Sequence, residues 1–358
     1  MKLSDLTEHR LVHVKVWLML ALAIFSCSRN VTMNRLMPAD ITVPSHVQRI
    51  LIVDRTEPES QGLAIIEGIL TGEAPFEVKN AVESTIATIT QELNTSPRYE
   101  IIRARERLKG GLFAQTFPQP LSWELIDRLV KQYDADAVLS LEMFSSDFIV
   151  TDKAQLIKKT VGSGENAKEV EVQGFYAEGI ANVKAGFRFY DPVNRNLFDQ
   201  KEFSKTNTWS ATAESRGQAL ALLIDKSRAT IYVGQMAGAS YARRVAPMYL
   251  NISRTYYPKS KKNPQIERGA RYAQVNQWEE AIATWESGLP SAHPKTGGRM
   301  AYNIALGYEV LGDLQNAKYW ADLAYLDYGF KNARAYSQQL DRRMGDEERL
   351  RYQMGEAQ

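Results

Sequence analysis

Cysteine is almost absent from this sequence: Cys27 is the only one in 358 residues, so the chain has no intramolecular disulfide with which to brace itself in an oxidising compartment. Histidine is scarce too. His9 and His13 precede Cys27, which leaves only His46 and His293. That inventory excludes Cys-His dyads, Ser-His-Asp triads and most zinc sites, and no metal or other cofactor is expected. No apolar run is long, since Val16 to Phe25 covers ten residues where about 20 are needed to cross a bilayer. Charge of one sign is lacking as well. The formal net charge is +2 and the densest basic stretch is the short Lys259-Ser260-Lys261-Lys262, so no nucleic-acid partner is expected. Gly162-Ser163-Gly164 lacks the Lys-Ser/Thr that follows in a phosphate loop and reads as a hairpin tip.

What is present begins at the amino terminus. Lys2, Arg10 and Lys15 precede the apolar run, which stops at Ile24-Phe25-Ser26-Cys27, an arrangement of charge, apolar stretch and small residue suited to export. The last four residues resemble the lipobox of bacterial lipoproteins, although Phe25 is bulkier than the usual occupant. The resemblance implies cleavage by signal peptidase II before Cys27 and acylation of that residue, which would hold the protein on a membrane without a spanning helix. Ser28-Arg29-Asn30-Val31 carries no acidic cluster; in lipoproteins of the Bacteroidetes type an acidic stretch there goes with surface display. Its absence implies the periplasmic side, and the expected location is the outer membrane, lipid-anchored and facing the periplasm.

Along the mature chain, residues 27–46 read as a lipidated tether. Arg49 to Asp54 forms an apolar run typical of a strand buried on both faces. Val78, Val82, Ile86, Ile89 and Leu93 recur at helical spacing. Tyr99 to Ile102 is a short strand, Ser122 caps a helix bearing Ile126 and Leu129, and Asp136 to Met143 is again strand-like. From Ile180 to Tyr190 apolar and polar residues alternate, Asp191-Pro192-Val193-Asn194-Arg195 supplies a turn, and Leu197 to Phe203 returns. A long helix is expected from about Thr212 to Ala246, its small residues Thr230, Gly234 and Gly238 packing closely against the sheet.

From Ile266 the pattern becomes a repeat. Gly269-x2-Tyr272, Ala281-x3-Trp285 and Pro294 are matched 36 residues later by Ala305-x2-Tyr308 and Ala317-x3-Ala321, with Gly312-Asp313 standing where the first copy has Asn276-Gln277. This spacing is similar to that of tetratricopeptide repeats, in which small residues let paired helices approach. The helix from about Asn332 to Met354 can complete the stack. The resemblance implies a groove lined by the first helix of each pair, with Gln274, Arg299, Tyr302 and Glu309 as partner-binding residues. A purely structural cap is the alternative.

The fold class is therefore α+β: an α/β sandwich domain with a mixed sheet over residues 47–248, a linker over 249–264, and an all-α tetratricopeptide-like helical domain over 265–358. An early aliphatic strand, a helix, a short strand ending in Arg, Asp134-Ala-Asp136-Ala-Val138 and a turn on Asp191-Pro192 are similar in outline to periplasmic domains of the curli-transporter, TolB amino-terminal and peptidoglycan-synthase-activator kind. With the lipobox, the stretch Arg243-Arg244-Val-Ala-Pro and Arg254-Thr-Tyr256-Tyr257, and the repeat, the chain resembles a family of uncharacterised Bacteroidetes lipoproteins. That resemblance implies no activity. Asp54, Glu142, Glu57 and Glu59 could in principle support carboxylate hydrolysis, and Trp209, Tyr256 and Tyr257 could stack on a sugar or on peptidoglycan. The expectation is a non-enzymatic adaptor for envelope proteins, anchored to the membrane through Cys27.

Overall fold

The computed structural model describes residues 28–57, 75–112, 114, 116–164, 167–260 and 263–356. The signal segment, the lipobox with Cys27, Glu59 and the lysine pair 261–262 lie outside the described residues. The chain divides into two compact units: Leu36–Tyr249 with Arg349–Gln358, and the residues up to Arg35 with Leu250–Glu348.

The described chain opens on strand β1 (Arg29–Met37), which pairs with β8 (Met248–Tyr256) in a two-stranded ribbon. The stretches read as tether and linker thus both contain strands. Their short polar alternations, with Val31 and Met33 as inward residues of β1, gain a packed face only once the helices are folded.

In the larger unit a mixed sheet is ordered β3 (Glu100–Lys109), β2 (Arg49–Glu57), β5 (Ala137–Val161), β6 (Lys168–Asp191), β7 (Asn196–Ala213), and β4 (Gly111–Leu112) pairs with β5. β2 runs parallel to both β3 and β5, while β5, β6 and β7 form an antiparallel meander. The aliphatic run Ile50-Leu51-Ile52-Val53 is fully buried because both faces are covered. On one face Ile50 and Ile52 meet helix α1 (Pro75–Asn94) through Val82, Ile86 and Ile89. On the other, Leu51 and Val53 meet α2 (Trp123–Tyr133) through Ile126 and Leu129. The Ser122 side chain caps α2 at the Leu125 amide.

The expected helix from Thr212 to Ala246 is shorter and broken. β7 continues to Ala213, a short helix α3 (Arg216–Ala221) follows, and α4 (Lys226–Val245) starts anew. Two side-chain caps set these starts, Ser215 accepting from the Gln218 amide and Asp225 from the Arg228 amide. The small residues of α4 face α1, and Gly234 also meets Phe144 of the sheet. A Cβ on Gly234 would come within 2.6 Å of Thr85 Oγ1, and one on Gly238 within 2.7 Å of the Thr85 carbonyl, so a larger residue at either position would separate the two helices.

The helical unit contains α5 (Pro264–Gln274), α6 (Trp278–Gly288), α7 (Pro294–Leu311), α8 (Leu314–Leu326) and most of α9 (Lys331–Gln353). Ala281 and Ala317 are fully buried where their helices cross. The two inter-helix turns are equivalent in conformation, Asn276 and Gly312 both adopting positive φ (58° and 90°). Leu314, Ala317 and Ala321 of α8 share a core with Tyr336 and Leu340 of α9, so α9 covers the second pair.

Candidate functional site

The two acids expected near strand ends, Asp54 and Glu142, lie within strands β2 and β5. Asp54 lies beside Arg107 in the β2–β3 register. Its Oδ1 accepts from the Thr56 amide at 2.9 Å and the Thr56 hydroxyl at 2.6 Å, and its Oδ2 accepts from Arg107 Nε at 2.5 Å. Glu142 sits at the β5 irregularity between Leu141 and Met143 and is fully buried. Tyr190 Oη donates to its Oε1 at 2.8 Å, and Arg55 and Arg188 reach its Oε2 at 2.5 and 3.5 Å. Burial first, and the Glu142 charge second, push the Tyr190 phenol up to about 12, so it remains a donor at neutral pH.

These contacts tie down a loop. Arg188 and Arg55 donate to the carbonyls of Pro118 and Gln119 at 2.7 Å each, and the Leu121 amide donates to Tyr190 Oη at 3.1 Å. Phe117 stacks on the Arg188 guanidinium. Both oxygens of each carboxylate accept at least one hydrogen bond, and the network around Glu142 staples residues 117–121 to the sheet. Among the described residues no group of three or more His, Cys, Asp or Glu is placed to hold a metal ion.

In the helical unit the four residues expected to line a groove have different fates. Glu309 is fully buried. Arg254 grips it with two nitrogens at 3.1 and 3.2 Å, Arg343 Nη1 lies at 2.5 Å and Tyr336 Oη donates at 2.7 Å. It therefore belongs to the interior rather than to a surface open to a partner. Tyr302 is half-buried, its ring edge-on to Tyr257 and Phe330 and tilted against Tyr336. Burial, with the neighbouring Tyr257 second, pushes its phenol up to about 12. Arg299 lies over the Tyr257 ring at 5.1 Å, so Arg299 and Tyr302 are brought together through one aromatic. Gln274 is exposed and apart from them, on the rim of a cavity of about 420 Å³ shared with Arg29, Thr32, Tyr256 and Trp278.

The side of α7 that carries Tyr302 and Asn303 is occupied by the chain itself. Asn303, fully buried, accepts from the Tyr257 amide and donates to the Tyr257 carbonyl, both at 2.8 Å. Arg35 of β1 donates to the Glu309 and Val310 carbonyls at 3.0 and 2.6 Å. Tyr256 meets Trp278 edge-on. The ribbon and the residue after it thus lie along α7 in the manner of a bound peptide. Sequence reasoning missed Asn303 and Arg343. A polar side chain in the otherwise apolar Ala301 to Leu306 stretch was the available signal for the first; the second has none locally. The aromatics considered for sugar stacking are also engaged, since Tyr256 is buried, Tyr257 packs on Tyr302 and Phe330, and Trp209 meets Tyr232.

Fold and site together define a two-unit protein, a mixed α/β sheet unit and a stack of tetratricopeptide-like helix pairs, each locked by a buried glutamate. The chain belongs to the family described as Domain of unknown function (DUF8603), whose model matches residues 47–257. A second model, Domain of unknown function (DUF6340), matches residues 267–342. No curated protein matches the sequence. Among solved structures, the PelC dodecamer from Paraburkholderia phytofirmans is similar at 11% identity and TM-score 0.24, over 61% of this chain and 99% of that one. A neuraminyllactose-binding hemagglutinin homolog from Helicobacter pylori is similar at 10% identity and TM-score 0.28, over 57% and 84%. Among the described residues no helix is long and apolar enough to cross a membrane.

Proposed function

We propose that this protein is a lipid-anchored, non-enzymatic adaptor of the bacterial envelope, held by acylated Cys27 on the periplasmic side of the outer membrane and presenting its helical unit to a protein partner. The observation that carries this reading is the position of β1. With Arg29 already in the strand, a lipid on Cys27 stands two residues away, a reach of about 7 Å at most. The helical unit would be held at the bilayer surface with almost no spacer. The hydrogen-bonded carboxylates Asp54 and Glu142 support a binding role over hydrolysis.

Because the chain's own ribbon lies along α7, the partner would use a different face. Tyr319 and Leu326, seven residues apart on α8 and 58% and 73% exposed, provide an apolar stripe for it. Two measurements test the reading. Cys27→Ser should move the protein from the membrane to the soluble fraction. The wild-type chain, used as bait in envelope extract, should retain a stoichiometric partner that Tyr319→Ala/Leu326→Ala loses. Recovery of no partner, together with a hydrolytic activity abolished by Asp54→Asn, would overturn it.

A further inference from the structure

The helical unit contains a cavity of about 550 Å³ whose chemistry differs from the rest of the surface. Lys295 and Arg299, one turn apart on α7, line it together with His293, Thr296, Ser260, Ser291 and Asn263, and no acidic residue is among the described lining. The volume falls in the range of small-molecule sites. The polar groups divide by what they still have to offer. Asn263 is spent on the Gly288 carbonyl and the Gln265 amide, and so forms wall. Ser291 donates to the Gly288 carbonyl and keeps only lone pairs. Ser260 and Thr296 share one hydrogen bond at 2.6 Å, so whichever hydroxyl accepts retains its own proton. His293 Nδ1 accepts from the Lys295 amide at 3.4 Å, which leaves the proton of the neutral ring on Nε2.

Arg299 is held in place without being used up. Its guanidinium lies over Tyr257 and makes one long bond, 3.4 Å, to the Lys259 carbonyl, and its Nε is buried without a partner. A guanidinium has five N–H donors. The described lining therefore presents two positive charges, a hydroxyl donor and the His293 Nε2, with Ser291 as an acceptor and no carboxylate to balance the charges. Lys295 and Arg299 are like charges at i and i+4, a pairing that repels until an anion sits between them.

We propose that this cavity binds a phosphate monoester carried on a small hydroxylated body. The charge selects phosphate over carboxylate, since a monoester carries about −1.5 to −2 at neutral pH and matches Lys295 plus Arg299. A bare phosphate underfills the volume, and the Ser291 oxygen suits a ligand hydroxyl. The assignment does not rest on lipid anchoring or on a protein partner. The same chemistry is found on a soluble sugar or glycerol phosphate and on a phospholipid headgroup.

Calorimetric titration of the whole purified chain with glycerol 3-phosphate, with glycerol as neutral control, tests it. Saturable, salt-sensitive binding is expected for the phosphate ester and none for glycerol. Arg299→Ala should weaken binding at least tenfold. Because Arg299 also packs on Tyr257, exposed Lys295→Ala provides the second variant and should weaken binding about fivefold with an unchanged melting temperature. Capture on phosphatidylglycerol vesicles that glycerol 3-phosphate displaces would assign the ester to a headgroup; binding in solution without vesicle capture would assign a soluble ester. Absence of saturable binding to glycerol 3-phosphate, or equal affinity in the Lys295→Ala variant, overturns the proposal.

Discussion

Among the described residues each unit buries one glutamate, surrounds it with two arginines and hydrogen-bonds it to one tyrosine, yet the two arrangements hold different things together. Around Glu142 the partners Arg55, Arg188 and Tyr190 come from strands of the same sheet, and the network reaches outward to fix residues 117–121. Around Glu309 they come from separate elements, Arg254 from β8 and Tyr336 and Arg343 from α9. In the sheet, backbone pairing already sets the register and the charge cluster is added to it. In the helical unit the charge cluster bridges ribbon, repeat and final helix, alongside the Asn303–Tyr257 hydrogen bonds and the α7–α9 core.

That difference predicts unequal sensitivity. Glu309→Ala leaves the buried Arg343 and the partly buried Arg254 facing each other without a counter-charge and should destabilise the helical unit by about 4 kcal/mol. Urea unfolding followed by tryptophan fluorescence, with Trp278, Trp285 and Trp320 as reporters within that unit, should show an early transition. A loss under about 1 kcal/mol would mean that packing alone joins the three elements. Glu142→Ala should cost less, about 3 kcal/mol, because Arg188 lies 3.5 Å from the carboxylate and retains the Pro118 carbonyl and Gln200 as partners. Hydrogen exchange should report the damage first at the Leu121 amide, whose acceptor, Tyr190 Oη, loses the Glu142 carboxylate that positions it. Protection there equal to wild type would break the link between the cluster and the loop.

Steric rules were legible in the sequence; long-range electrostatics were not. Ala281, Ala317 and the Gly312 turn could be read because a repeat allows only small side chains or positive φ at those points. The strand from Ile180 to Tyr190 announced itself through its period of two. The outer half of β5 did not, since residues 149–161 are exposed on much of both faces and carry no apolar stripe. The helix expected across Thr212 to Ala246 was a misreading of Leu220, Leu223 and Ile224, whose spacing is helical but whose continuity is cut by the caps at Ser215 and Asp225. Glu309 was read as a surface residue because its partners lie 55, 34 and 27 residues away, and no local pattern marks an acid for burial.

The comparison can be sharpened at the first helix pair, where packing works without charge. Gly269 lies against the buried Trp285 indole, and a Cβ there would come within 2.4 Å of Nε1, the atom that donates to the Ile266 carbonyl. Gly269→Ala gains helix propensity, about 1 kcal/mol, but overpacks a rigid ring at a cost of up to about 3 kcal/mol. A net loss of about 2 kcal/mol is expected, with a shift in tryptophan emission. A stabilised variant would show that Trp285 can move, and that the pair is held less tightly than the Glu309 cluster.

The smallest effect belongs to the β6–β7 turn of the α/β unit, where a carboxylate acts locally. Asp191 accepts from the Val193 and Asn194 amides at 3.0 and 3.3 Å, from Asn194 Nδ2 at 2.7 Å, and lies 3.1 Å from His46 Nε2. Burial alone pushes its carboxyl up, but the Asn194 donors and then His46 outweigh burial and hold it below the usual carboxylate value. A depressed folded value means that the ionised form stabilises the fold above the unfolded value, about 3.9, and that this stabilisation disappears as pH falls through the folded one. Asp191→Asn should cost about 1 kcal/mol at pH 7, and the gap between variant and wild type should narrow as the solution is acidified below about pH 4. A gap that stays constant from pH 7 to pH 2.5 would show that the turn depends on the shape of the side chain and not on its charge, which would make this site the opposite of the two buried glutamates.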